Sequence, residues 1–220
     1  MDTTLSSVSS KQIDLVWSTP KAEQLILYMA RVSNPAQQNS TKTGLIRYLL
    51  DNKHWSPFEM VSMAVEINTS RAISAQILRH RSFHYQEFSQ RYAAIDNTGV
   101  VIYAARRQDV KNRQNSLDDL SEEIKQEWEA RQLDNWRRAF EHYQWALDHE
   151  IAKESARMVL PMQTATRMYM VGTLRDWIHY IVVRTDPTAQ KEHRDVALAI
   201  KDVFIAEFPI VSAALGWRLE

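Results

Sequence analysis

Two hydrophobic periods alternate along this chain. In the first half the apolar segments are short. Residues 13–17 read as a strand, and Ser18 or Thr19 can cap a helix with Pro20 in its first position, running to about Arg31. A second helix over 43–52 has Leu45, Ile46, Leu49 and Leu50 as its apolar side, and residues 58–67 form a strand rich in aromatic and β-branched positions. Ser70 is the expected N-cap of a helix reaching Leu78, with Ala72, Ile73, Ile77 and Leu78 apolar. Strands over 87–93 and 100–103 are expected to pair across the turn Asp96-Asn97-Thr98-Gly99.

The second half takes the helical period. Ser116 and Asp119 have the spacing of a capping box. From Leu133, apolar residues recur at Trp136, Phe140, Tyr143, Leu147 and Ile151, one stripe of a long helix. Residues 163–184 continue the pattern through Met170, Leu174, Trp177 and Ile181, and Asp186-Pro187 is expected to open a last helix through Ala197, Ile200, Val203 and Phe204. The expected fold is α+β: a small antiparallel sheet with several long helices. A doubly wound nucleotide fold is excluded by the want of any glycine-rich loop after a strand, in a chain with four glycines.

Composition narrows the function. The 220 residues, 45% hydrophobic, suffice for one substantial core, so residues 1–220 are expected as a single domain behind a flexible Ser/Thr-rich N-terminus over 1–10. Zero net charge argues against a general nucleic-acid or membrane-surface binder. No apolar run has the length of a membrane span and the N-terminus does not read as a signal peptide, so the expected location is cytoplasmic, in a host cell if the protein is viral. There is no cysteine, which removes thiolate nucleophiles, thiolate metal ligands and disulfides together; no metal site is expected.

The chemistry concentrates at Arg79-His80-Arg81-Ser82-Phe83-His84-Tyr85-Gln86-Glu87-Phe88-Ser89-Gln90-Arg91-Tyr92, with three arginines and two histidines. Guanidinium groups offer a planar fork of donors suited to phosphate and other flat, electron-rich groups, which points to a polyanionic small molecule. On a strand from Glu87, Glu87, Ser89 and Arg91 share one face and Phe88, Gln90 and Tyr92 the other. Each residue taken singly has a plainer reading: His54 and His179 as surface or cap histidines, Ser89 as a strand serine, Arg157 and Arg184 as helix-end arginines favoured by the macrodipole.

Their order along the chain resembles a known family. Arg79-His80-Arg81, then seven residues, then Ser89 is similar to the signature of the flavin-dependent thymidylate synthases. His54-Trp55-Ser56-Pro57-Phe58-Glu59, Ala156-Arg157-Met158-Val159-Leu160-Pro161, Thr166-Arg167, Leu174-Arg175, Trp177-Ile178-His179-Tyr180, Arg184, and Ala189-Gln190 with Glu192 and Arg194 follow in that family's order, so the resemblance covers roughly residues 12–207. It implies a homotetrameric thymidylate synthase-complementing fold with active sites shared between chains. The implied reaction methylates dUMP to dTMP, with FAD as cofactor, methylenetetrahydrofolate as one-carbon donor and NADPH as reductant. A hydride from reduced flavin replaces the thiolate addition of the other thymidylate synthases, which suits a chain without cysteine.

The resemblance also implies roles. Arg79, His80 and Arg81 lie near the flavin, with Ser56, Glu59, Thr173, Arg175 and His179 as further FAD-binding positions and His54 close to flavin and folate. Gln76, Glu87, Ser89, Arg91, Arg157 and Arg184 form the nucleotide site, Ser89 and Arg91 on the phosphate and Arg184 at the uracil oxygens; Arg184, Ser89 and His54 are the catalytic candidates. Three positions depart from the family: Thr173 in place of Asn and Ala165 in place of an aromatic, against many relatives, and His179 in place of an amide or other hydrogen-bonding group, against some. These leave finer substrate choice, including a related modified pyrimidine, open. Two other functions compete: a metal-free ribonuclease built on Arg79 to His84, and a non-catalytic helical scaffold binding nucleic acid through the basic cluster.

Overall fold

The computed structural model describes residues 12–95 and 99–219. β1 (Ile13–Ser18) is followed by α1 (Ala22–Met29) and α2 (Gly44–Asp51), and then by β2 (Ser62–Ser70) and α3 (Arg71–Ile77). After β3 (His84–Glu87) comes a two-stranded ribbon, β4 (Arg107–Gln108) and β5 (Ser116–Leu117). The second half holds α4 (Glu122–Asp148), α5 (Lys153–Ala156), β6 (Ala165–Thr173), α6 (Leu174–Arg184), α7 (Lys191–Glu207) and α8 (Pro209–Leu215). The four-stranded sheet has the order β1-β2-β6-β3 and every pairing is antiparallel. The α+β expectation holds.

Nine residues of β2 pair with nine of β6, from Ser62 opposite Thr173 to Ser70 opposite Ala165. Met63, Val65 and Ile67 of β2 and Met168 and Met170 of β6 point into the core, where α6 and α7 deliver Leu174, Trp177, Ile181, Ile200 and Phe204. Trp177 buries its ring without stranding its polar edge, because Nε1–H donates to the Met63 carbonyl at 2.9 Å. Arg167 and Tyr169 face the other way and are exposed. A smaller core sits under α4, where Trp136, Tyr143 and Ala146 pack with Ile95 and Ala156.

Several expectations are corrected. The helix expected over 163–184 is a strand followed by a helix. Met170 and Leu174 fit a helical offset, but the alternation Met168, Met170, Gly172 inward and Arg167, Tyr169 outward is the period that pairing on both sides of β6 rewards. The strand expected from residue 58 begins at Ser62, because Ser56–Glu59, with Pro57 near its start, forms a 3-10 turn. Thr19 does not cap α1: its hydroxyl donates to the Ser62 carbonyl at 3.2 Å and accepts from Ser62 N–H at 2.9 Å, tying β1 to β2, and α1 starts after Lys21 instead. Asp186 accepts from Thr188 N–H at 2.8 Å in a local turn, so the last helices begin at Lys191 and Pro209. Ser116 lies in β5 and Asp119 pairs with Arg107, while Ser121 caps α4.

The hairpin expected between 87–93 and 100–103 is absent from the described residues. β3 ends at Glu87 and pairs with β6. Tyr103 gives its backbone N–H (3.0 Å) and carbonyl (2.8 Å) to the side-chain amide of Gln132 on α4, which does the work of a neighbouring strand. The turn between the two segments lies outside the described residues except for Gly99, which has a φ of 67°. The expected flexible segment 1–10 lies outside them as well.

Gly172 is where β6 must yield space. A Cβ there would sit 2.5 Å from Phe83 Cδ1, and Phe83 cannot retreat because its ring meets Trp177 edge-on at 4.7 Å. Gly172→Ala is expected to cost about 1–3 kcal/mol, the range for overpacking a filled core, read as a lowered midpoint in urea denaturation with unchanged slope.

Candidate active site

β2 and β6 run in opposite directions, and each leads straight into a helix. Ser70 closes β2 and caps α3, its hydroxyl accepting from Ile73 N–H at 3.3 Å. Thr173 closes β6 and caps α6 in a capping box with Asp176: Thr173 N–H donates to the Asp176 carboxylate at 3.0 Å, and Asp176 N–H to the Thr173 hydroxyl at 3.3 Å. The two helices therefore start at opposite ends of the sheet. Together they span about 27 Å, against about 30 Å for a nine-residue strand. Their C-terminal ends meet: Arg184 Nε–H donates to His80 Nε2 at 2.8 Å.

That contact makes His80 an acceptor, so the imidazole is neutral with its proton on Nδ1. Burial lowers its pKa to about 4, helped by the charge of Arg184 and by His179. Tyr180 stacks edge-on against His80 at 4.8 Å, and behind it lies His193 of α7, wholly buried. His193 shares hydrogen bonds with the Tyr180 hydroxyl (3.1 Å) and with Gln76 Oε1 (3.3 Å). Burial, then Arg184 and His80, lowers its pKa to about 3. Arg79 and Arg81 flank this centre; both are exposed, and neither makes a side-chain hydrogen bond or ion pair among the described residues. Gln76, His80 and Arg184 are thus brought together, with Arg79 and Arg81 beside them in sequence.

A second group gathers where β2 begins and β6 ends. Glu59, on the 3-10 turn, is ion-paired with Arg175 in the first turn of α6. Ser56 of the same turn lines a pocket of about 400 Å³ with Tyr28, Met29, Val32 and Met60. His179 follows Arg175 by one helical turn and is exposed, while the Thr173 hydroxyl is spent on the cap. His54 is exposed and meets the edge of Tyr48, its ring centroid 5.9 Å away.

The third group lies towards the other end. Glu87 Oε1 accepts from Arg71 Nη1 and from the Thr166 hydroxyl, both at 2.9 Å, and Arg71 Nη2 also holds the Phe88 carbonyl at 2.7 Å. With the strand ended at Glu87, the expected shared face of Glu87, Ser89 and Arg91 does not form. Ser89 instead opens a turn, its carbonyl accepting from Tyr92 and Ala93 N–H, and Arg91 reaches Glu154 at 3.5 Å on the surface. Arg157, on the turn after α5, keeps a buried Nε without a partner. From Thr166 to Thr173 the strand covers about 24 Å, so one chain does not gather the second and third groups into one cavity.

Arg71 and His193 are absent from the residues singled out by sequence, and Thr166 and Tyr180 appear there only within the family's motifs, without a role in the site. Nothing local marks Arg71, whose partner is sixteen residues away. His193 did carry a signal: with Val196, Ala197, Ile200 and Phe204 it lies on the buried stripe of α7. Ala165 is buried at the sheet end opposite Ser70.

The fold and this donor set define a class: an α+β protein with arginines and side-chain amides, rather than a glycine-rich loop, as a donor set suited to an anionic ligand. A family model described as thymidylate synthase complementing protein matches residues 14–210, and the chain belongs to that family. It is 49% identical over 217 residues to a flavin-dependent thymidylate synthase of Synechocystis sp., covering 99% of this chain and 100% of that one. It is 52% identical over 198 residues to a probable flavin-dependent thymidylate synthase of Paramecium bursaria Chlorella virus 1, covering 89% and 91%. Among solved structures it is similar to a UMP/dUMP methylase, PolB from Streptomyces cacaoi, bound with 5-Br dUMP, at a TM-score of 0.80 and 27% identity over 93% of each chain.

His80 and His193 titrate near 6.5 when unfolded and far lower in the fold. Below pH 6.5 the unfolded chain therefore binds more protons than the native one. Their contribution to stability is complete above that pH and is lost as pH falls towards 4 and 3. Thermal melts should show Tm dropping from pH 6.5 to 4.5, and a shallower slope for His193→Asn; identical slopes would separate His193 from this loss.

Proposed function

We propose that this protein is a flavin-dependent thymidylate synthase, methylating dUMP to dTMP with methylenetetrahydrofolate as one-carbon donor and NADPH as the source of reducing equivalents. The observation that carries the reading is end-to-end similarity to such enzymes in a chain with no cysteine, for which thiolate addition to the pyrimidine is closed. Residues 1–220 are taken as one domain, and the reading carries with it a cytoplasmic location. Among the described residues no helix is long and apolar enough to cross a membrane.

The residues present suit a flavin dinucleotide. Arg79 and Arg81 stand as exposed cations beside His80, and Arg175 is held by Glu59 at the start of α6. These guanidinium groups would hold the diphosphate, with Ser56, Thr173 and His179 lining the rest and His54 near the folate. When bound and reduced, FAD supplies the hydride that a thiol-free route needs. The chain's own task is to grip the nucleotide and to stabilise charge. Arg184, fixed by neutral His80 and unable to lose its proton, meets the negative charge that develops on a ring oxygen as C6 is reduced and C5 becomes nucleophilic. Ser89, Arg91 and Gln76 hold the nucleotide, and Arg157 brings a buried donor without a partner to the same task. Glu87 is held ready by Arg71 and Thr166. The family resemblance carries the proposed assembly, a homotetramer in which different chains complete each site, and the span of about 24 Å between the two ends of β6 is compatible with it.

Purified protein is expected to bind FAD and to release tritium from position 5 of labelled dUMP when given FAD, NADPH and methylenetetrahydrofolate. Folded, FAD-loaded protein that releases none would overturn the reading, and RNA cleavage without flavin would replace it. Parallel reactions with UMP test whether the ribonucleotide is accepted. Arg184→Ala should lower kcat/KM by about a hundredfold or more, the scale for a preorganised donor to developing charge. Ser89→Ala should retain measurable turnover, because among the described residues no base is hydrogen-bonded to its hydroxyl.

A further inference from the structure

His193 is fully buried, is fixed by two hydrogen bonds, and has no part in the chemistry just described. It is the inner end of a chain of polar side chains that reaches the surface. Arg106 is ion-paired with Glu192 Oε1 in the first turn of α7, and Gln190 Nε2 donates to Glu192 Oε2 at 2.9 Å. Gln76 Nε2 donates to Gln190 Oε1 at 2.6 Å, and Gln76 Oε1 faces His193 Nδ1 at 3.3 Å. The Tyr180 hydroxyl closes the series on His193 Nε2 at 3.1 Å.

An amide can be turned end for end, so distances alone do not fix what Gln76 offers a ligand. The chemistry of the series does. A carboxylate accepts only. Glu192 therefore compels Gln190 to present its nitrogen to Glu192 and its oxygen to Gln76. Gln76 must answer with its nitrogen, which leaves its oxygen towards His193. His193 then carries its proton on Nδ1 and accepts from Tyr180 on Nε2. Turning any one amide would set oxygen against oxygen. Neutrality of the ring is secure, since its pKa lies at about 3 through burial and the charge of Arg184, with His80 adding to it. Once both bonds are made, Gln76 has one N–H left for a ligand.

We propose that His193 is a positioning residue for the nucleotide, the inner member of a one-way hydrogen-bond chain anchored at Arg106–Glu192 that locks the Gln76 amide so that its remaining N–H meets an acceptor oxygen of the pyrimidine nucleotide. The inference rests on the reading above, in which Gln76 faces dUMP. It gives Gln190 and Glu192 a task in nucleotide recognition without contact to the nucleotide.

The test is a titration of FAD-loaded enzyme with dUMP, followed by calorimetry. His193→Leu should weaken dUMP binding about five- to tenfold, the worth of one or so hydrogen bonds, and leave FAD binding unchanged. His193→Asn, which keeps a donor near the position of Nδ1, should stay within about twofold of the parent. In a Gln76→Ala background His193→Leu should add nothing, because the group it positions is gone. Should His193→Leu not fold, Glu192→Gln, which replaces the acceptor-only carboxylate at the other end by an amide that can also donate, enters the same cycle. Additive losses, an equal loss of FAD, or His193→Asn as weak as His193→Leu would each overturn the proposal while dUMP still binds the parent enzyme. A parent enzyme that binds FAD but not dUMP would overturn the functional reading, and this inference with it.

Discussion

Antiparallel pairing of β2 with β6 is the constraint from which the rest of the molecule follows. Because the partners are equal in length and opposite in direction, the helices they lead into begin at opposite ends of the sheet and grow towards each other. Both starts are pinned by hydroxyl caps, Ser70 for α3 and Thr173 for α6, which fixes where each helix ends. The meeting of Arg184 and His80 is the geometric result. A slip of one residue in the β2–β6 register would turn Met168 and Met170 outward and move that meeting point, so core packing and site geometry are held by one register.

The centre built this way keeps cations next to neutral imidazoles. A buried charged histidine beside Arg184 would cost both desolvation and repulsion, so His80 and His193 give up their protons and become fixed hydrogen-bonding groups. His80 accepts from Arg184, and His193 donates towards Gln76. The arginine keeps its charge under all conditions, since a guanidinium cannot shed its proton in a protein. Carboxylates such as Glu59 and Glu87 hold Arg175 and Arg71 in place, and Arg79 and Arg81 stay exposed, a charge distribution that suits the anion of the proposed reaction.

Much of the local structure was legible in the chain. Ser70 as an N-cap, the apolar side of α2 and the stripe Trp136, Phe140, Tyr143 all follow from short-range rules, because a cap or a helical face is settled within a few residues. The failures share a different cause. Residues 165–173 fit a helical offset and are a strand, since what decides is a pair of neighbouring strands distant in sequence. Residues 100–103 look like a strand, yet among the described residues they form only one bridge, Val100 opposite Thr164, with Val101 N–H donating to the Gln163 carbonyl, while Tyr103 bonds Gln132 on a helix. Thr19 has the chemistry of a cap but spends its hydroxyl on Ser62, a strand away.

For the site the same line can be drawn. From the residues alone came the family, the exclusion of a cysteine route and the expectation of a site built on guanidinium groups, since these rest on side-chain chemistry and order. Folding in three dimensions decided which of those groups touch. It joined Arg184 to His80, gave Glu87 to Arg71 and Thr166, ended the strand before Ser89, and set His193 behind Gln76. Those pairings span up to 117 residues of chain and depend on sheet register and helix length, neither of which any local pattern contains.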